Sequence, residues 1–105
     1  MPQPQLPGGF SWTAQPQPAL RIDTAPVEGL VYLQGAQVAA WRPVGQQPAL
    51  WLADPDQFRP GTAIRGGIPV CFPWFGPGPD ATLAPAHGFA RLVEWTLLSA
   101  ELDAG

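Results

Sequence analysis

Fifteen prolines and twelve glycines are spread along the 105 residues of this chain, and they exclude a fold built on long helices. Proline removes a backbone donor and clashes with the preceding helical turn, and glycine weakens a helix interior. The apolar residues fall in short runs between these breakers: Ala19 to Ile22, Leu30 to Leu33, Val38 to Trp41 and Ala49 to Leu52. Pro, Gly, Asp and Gln clusters separate the runs at intervals of roughly ten residues, which is the rhythm of a β-meander. The chain is 46% hydrophobic with five tryptophans, too much apolar surface for a disordered segment. An all-β domain of antiparallel strands is expected, with a thin core at this size.

Residues 1 to 18 are rich in Pro and Gln and predict an extended arm carrying at most one short strand, at Phe10-Ser11-Trp12. Residues 19 to 105 form the domain portion. Gly35 interrupts the apolar stretch from Leu30 to Trp41, so a bulge or tight turn is expected there, giving two antiparallel strands or one strongly bent strand. Asp54-Pro55-Asp56 and Phe58-Arg59-Pro60-Gly61 predict turns. Ile68 to Phe72 reads as a short buried strand, and Phe89 to Ser99 as a closing strand. Nothing after that strand resembles a closing element. A sandwich needs a second sheet and about seven strands, so the chain reads as an incomplete part of one.

The net charge is −3, with five arginines and no lysine, which argues against nucleic-acid and anionic-membrane partners. No apolar run is long enough to span a bilayer, and residues 1 to 9 lack a secretory signal pattern, so a soluble, cytoplasmic protein is expected. Cys71 is the single cysteine and excludes an intrachain disulfide, and its neighbours Val70 and Phe72 predict a packed thiol. One cysteine and one histidine do not make a metal set, so no metal and no cofactor is expected.

The chemistry concentrates between residues 63 and 91. Arg65 precedes Gly66-Gly67, where the absence of Cβ atoms lets a ligand approach the backbone and leaves a guanidinium fork free for an anion or a polyol. The bland alternative is a turn in which Arg65 pairs with Asp54 or Asp56. Trp74 and Phe75 follow the Ile68 to Phe72 run; they can floor a sugar site against a pyranose C–H face, or belong to the core. In His87-Gly88-Phe89-Ala90-Arg91, strand alternation would put His87, Phe89 and Arg91 on one face. A lone histidine is more often structural than functional.

The stretch Arg65-Gly66-Gly67-Ile68-Pro69-Val70-Cys71-Phe72-Pro73-Trp74-Phe75-Gly76, followed by His87-Gly88-Phe89-Ala90-Arg91, resembles the D-hexose-6-phosphate mutarotases, the glucose-6-phosphate 1-epimerase branch of the aldose 1-epimerase superfamily. The likeness runs from about Leu30 to Leu98 and covers only the beginning of such an enzyme. It implies part of a galactose mutarotase-like β-sandwich, or supersandwich, from an isomerase that is monomeric at full length and interconverts the α and β anomers of a sugar phosphate. Arg65 and Arg91 then match residues associated with the phosphate, His87 a residue that binds the sugar, and Trp74 and Phe75 the pocket lining. Ala86 stands where some members carry Gln, so the position keeps its place in the pocket without a side-chain contact. The resemblance places the catalytic pair, a second histidine and a glutamate, downstream of these motifs, so no catalytic acid or base is expected within residues 1 to 105. A non-catalytic carbohydrate-binding or regulatory module is the alternative, and a small β-structured interaction protein is a third possibility.

Overall fold

The computed structural model describes residues 3–103. Four strands form one open antiparallel sheet in chain order: β1 (Phe10–Thr13), β2 (Ala19–Asp23), β3 (Val27–Tyr32) and β4 (Gln37–Pro43). Short connections make sequential strands antiparallel neighbours. Thr24 closes the β2–β3 turn, its amide and hydroxyl both donating to the Val27 carbonyl at 3.0 Å. The β3–β4 turn closes where the Ala36 amide donates to the Leu33 carbonyl at 3.2 Å, with Gly35 at φ +71°, the positive φ that a type II turn needs at its third position.

The bulge lies elsewhere. Register shifts between Leu30 and Val31, which face Ala40 and Val38, leaving Ala39 as the extra residue on β4. Gly35 therefore supplies the turn and not the bulge. Both predicted turns of the loop region form. The Asp54 carboxylate accepts the Asp56 amide at 3.0 Å and caps a one-turn 3-10 helix, Pro55–Gln57. The second turn sits one residue later than expected, closed from the Thr62 amide to the Arg59 carbonyl at 3.0 Å with Gly61 at φ +83°.

Three expected strands do not form ladders. Ala49 to Leu52, Ile68 to Phe72 and Phe89 to Ser99 make only single bridges: Leu52 with Gly66, Val38 with Ile68, Phe72 with Gly88, and Gln34 with Glu94. The cause is local. Gly66, Gly67, Gly76 and Gly88 all take positive φ, and each turns the chain out of the pleat before a second pair can form. Ile68 and Phe72 are also 53% and 65% exposed, so the expected buried strand is an exposed strap. Cys71 is half-buried.

The core lies between one sheet face and the loops packed on it. Ala19, Tyr32 and Ala39 come from the sheet, Phe58 and Ile64 from the loops, with Leu30, Leu52 and Ala53 at the margin. Tyr32 meets Phe58 edge to face with ring centroids 5.8 Å apart, a geometry worth about 0.5–1.5 kcal/mol beyond area burial. The loop region docks on the free edge of β4, where Val38 O accepts from Ile68 N at 2.8 Å and Trp41 O from Ala49 N at 2.8 Å. Among the described residues no helix is long and apolar enough to cross a membrane.

Candidate functional site

Arg65 sits on a loop whose carbonyls are engaged on both sides of it while its side chain is exposed. Its carbonyl accepts the Ala53 amide at 2.9 Å, and the Gly67 amide donates to Trp51 O at 2.7 Å. The carbonyls on either side of it, of Ile64 and Gly66, both accept from the side-chain amide of Gln37. Gly67 is required at its position, since its φ is +64° and a Cβ would overlap the Val38 carbonyl oxygen. Arg65 forms no salt bridge with Asp54 or Asp56; the ion pair among the described residues joins Arg42 and Glu28 at 2.7 Å.

The second half of the site is two loops laced together. The His87 amide donates to Gly76 O at 2.9 Å, and the Phe89 and Ala90 amides both donate to Phe72 O, at 2.9 and 3.0 Å. His87 is at φ +67° and Gly88 at φ +76°. Two left-handed residues in succession are incompatible with a strand, so the expected alternation of His87, Phe89 and Arg91 on one face does not occur. A one-turn 3-10 helix, Ala90–Leu92, follows instead. This turn folds Arg91 back, and its Nη2 donates to the carbonyl of Ala86 at 2.9 Å. His87 and Arg91 are thus neighbours by a route that strand periodicity does not describe.

The polar bonds of His87 fix its tautomer. Its Nδ1 accepts the Gly76 amide at 2.9 Å, so that nitrogen carries no proton and the neutral ring has its N–H on Nε2, as a donor. Phe75 packs edge to face on the same ring with centroids 4.5 Å apart and is itself 75% exposed. Trp74 differs: it is half-buried, donates from Nε1 to Pro85 O at 2.9 Å, and stands edge to face with Phe89 at 5.1 Å. The aromatic pair therefore splits into a loop tie, Trp74, and an open apolar surface beside the histidine, Phe75. Ala86 is exposed and contributes its carbonyl.

Phe75, Ala86, His87 and Arg91 come together directly, whereas Arg65 lies on a different loop and is linked to them through the β3–β4 turn. At the far side of that turn Gln34 Nε2 donates to Arg91 O at 3.3 Å and to Thr62 O at 2.8 Å. Five clefts elsewhere on the described residues are lined by other side chains; one of about 300 Å³ lies over β2, β3 and β4, lined by Arg21, Glu28, Trp41 and Arg42 among others. Gln34, Gln37 and Gly76 are the participants that motif reading missed. The available signal was two polar side chains flanking Gly35 inside an otherwise apolar hairpin, where burial demands partners.

Comparison with known proteins places this geometry in a lineage. An Escherichia coli (strain K12) protein named as a candidate glucose-6-phosphate 1-epimerase is 49% identical over 83 residues, which is 79% of this chain and 28% of that protein. A protein of Cenchrus ciliaris with the same name is 40% identical over 67 residues, 64% of this chain and 20% of its own length. The crystal structure of a candidate mutarotase from Salmonella typhimurium matches with a TM-score of 0.84 at 38% identity, covering 95% of this chain and 34% of that one. The chain spans about a third or less of the length of these relatives. The family described as aldose 1-epimerase matches residues 19–104, and with that match over most of its length the chain belongs to the aldose 1-epimerase family.

Proposed function

We propose that this chain supplies part of the substrate site of an aldose-6-phosphate 1-epimerase, with Arg65 and Arg91 holding the phosphate, His87 donating from Nε2 to a sugar oxygen and Phe75 offering its ring to the sugar's C–H face. The observation that carries this reading is the bond from Arg91 Nη2 to Ala86 O at 2.9 Å, which sets a guanidinium beside the one histidine of the chain. Arg91 Nε is buried without a partner and Nη2 is engaged, so Nη1 is the donor left for a phosphate oxygen, and charge-assisted bonds of that kind are the strong ones. The names of the Escherichia coli and Cenchrus ciliaris relatives support glucose 6-phosphate as the substrate class.

Anomer exchange needs a base to remove the proton from the anomeric hydroxyl and an acid to protonate the ring oxygen as the C1–O5 bond breaks. The aldehyde then rotates about C1–C2, and the ring recloses on the other face with the two proton transfers reversed. His87 holds Nε2 as a donor and its Nδ1 is already engaged by Gly76, so it binds and does not act as the base. In this reading the proton-transfer pair lies outside residues 1–105, and the chain by itself binds without turnover. The location is cytoplasmic, where sugar phosphates are found.

Titration of the chain with glucose 6-phosphate and with glucose, followed by NMR, tests the reading. The phosphorylated sugar is expected to bind more tightly, and Arg65→Ala or Arg91→Ala to remove roughly 10-fold or more of that difference, the size of one lost bond to a charged group. Equal binding of the two sugars, or faster anomer exchange with catalytic amounts of the chain, contradicts it.

A further inference from the structure

Two glutamines with no role in the chemistry above lie buried at the two ends of the β3–β4 turn, Gln34 at 4% exposure and Gln37 at 0%. Each spends both N–H groups of its amide on backbone carbonyls of the arginine-bearing loops. Gln37 Nε2 donates to Ile64 O at 3.0 Å and to Gly66 O, bracketing Arg65. Gln34 Nε2 donates to Thr62 O at 2.8 Å and to Arg91 O at 3.3 Å, while its Oε1 accepts the Gly61 amide at 3.0 Å. Between them, the Gly35 amide donates to Val93 O at 2.8 Å, and a Cβ on Gly35 would lie 2.8 Å from Arg91 Cα.

We propose that Gln34 and Gln37 are positioning residues, which hold the backbones of Arg65 and Arg91 at a fixed separation and thereby select a phosphorylated over an unphosphorylated sugar. The inference rests on the assignment of both arginines to the phosphate. Neither loop has a strand ladder of its own: the bridges within residues 61–67 and 88–93, Gly66 with Leu52 and Gly88 with Phe72, go to other loop residues. The ties to the β3–β4 turn are the glutamine amides, the Gly61 amide to Gln34 Oε1 and the Gly35 amide to Val93 O. Long side chains can adapt to a misplaced anion, but two rigid forks meeting on one phosphate need their Cα positions set beforehand. Gln37 also leaves its Oε1 buried without a partner. A leucine or methionine would fill that space without stranding a carbonyl, so what the amide contributes is its pair of donors. Gln34, with every polar group engaged, makes the complementary tie to Arg91.

The test uses the 105-residue chain, isotopically labelled so that the five arginine Nε–H signals are separately followed during titration with glucose 6-phosphate and with glucose. In the wild type, Arg65 and Arg91 are expected to shift together with one dissociation constant. Gln34→Met and Gln37→Met are expected to weaken glucose 6-phosphate roughly 10-fold, the scale of one charge-assisted bond made poorly, and to leave glucose binding unchanged. A folded variant that keeps wild-type selectivity overturns the proposal even if its melting temperature falls, because a merely structural glutamine would give that result. A measurement without variants guards against misfolding: the side-chain NH₂ protons of Gln34 and Gln37 should exchange slowly before any sugar is added. Protection that arises only with ligand contradicts positioning. If neither wild-type arginine responds to the phosphate, the assignment on which the proposal stands fails and takes the proposal with it. If both respond and the glutamine variants bind as wild type, the proposal alone fails.

Discussion

Residues 10–43 and residues 49–103 are about equally apolar to the eye, yet the first stretch forms four laddered strands and the second forms none. In the sheet half, hydrogen bonds run between chain neighbours: Ala19 faces Tyr32 across β2 and β3, and Tyr32 faces Gln37 across β3 and β4. In the loop half most backbone bonds join loop residues to one another, as from Ala53 to Arg65 and from Phe89 to Phe72, and a few anchors reach back into the first, from Ile68 to Val38, from Ala49 to Trp41, from Trp95 to Leu33. One half is specified by strand pairing and the other by loop-to-loop ties anchored onto it. That division suits a binding surface, because a loop held at its anchor points can present exposed donors that a ladder would consume.

The sharpest way to break the comparison is Tyr32→Ala. Tyr32 is 1% exposed and joins the halves through its edge-to-face contact with Phe58. Removing a buried aromatic costs about 3–5 kcal/mol. If the loops depend on the sheet, both halves should melt in one transition, with far-ultraviolet circular dichroism and tryptophan fluorescence superimposing. Two separated transitions would show that the loops hold themselves.

Gly67→Ala strikes the docking from the other side. A Cβ there collides with the Val38 carbonyl, and φ +64° is strained for any other residue, so a loss of about 3 kcal/mol is expected. Hydrogen exchange should show the amides of Gly67, Ile68 and Ala53 opening while those of β2 and β3 stay protected. Equal loss of protection across both halves would erase the distinction.

The sheet half was legible because short apolar runs and turn residues act within a few positions of one another; β2, β3 and β4 fall on the runs at Ala19, Leu30 and Val38, and Gly35 falls on a turn. The runs at Ala49, Ile68 and Phe89 carry the same pattern and predict strands for the same reason. They fail because positive-φ glycines at 66, 67 and 88, and His87 itself, break the pleat, and sequence shows which residues are glycine without showing which take a positive φ. The motif residues were visible as residue types. Their juxtaposition was not, since Arg91 reaches Ala86 by a 3-10 turn and Arg65 is linked to it across the β3–β4 turn, by two buried glutamines and the Gly35 amide.

His87 separates the structural and binding duties of the loop half. At φ +67° it carries a conformation that asparagine tolerates far better than alanine. Asn also offers an oxygen near the place of Nδ1 for the Gly76 amide. His87→Ala should therefore destabilise by about 1–2 kcal/mol, the sum of a lost hydrogen bond and backbone strain. His87→Asn should stay near wild type in denaturant melts while losing the Nε2 donor, so weakened sugar binding with intact stability is the expected signature. Equal destabilisation by the two substitutions would make the imidazole a packing residue.

The smallest effects belong to pH, and they contrast two groups of the sheet half. Burial raises the Tyr32 phenol above its ordinary value because the low-dielectric surroundings disfavour the phenolate. The unfolded chain then loses this proton first as pH climbs, so the contribution is fully present below the unfolded pKa and is lost as pH rises through the folded one. Alkaline melts should accordingly show stability falling from about pH 10 upward, and Tyr32→Phe should flatten that decline. Glu28 is shifted the other way, first by its hydrogen bond from Arg42 and then by the charge of that guanidinium, which hold its carboxyl below the usual range. Its contribution is present above the unfolded pKa and is lost as pH falls through the folded one. The pair is solvent-exposed, however, and screening leaves such bridges with little net effect. Glu28→Gln should change the melting temperature by no more than the error of the measurement at physiological salt. A clear drop that high salt abolishes would mean that the Arg42 bridge helps to hold the edge on which the loops dock.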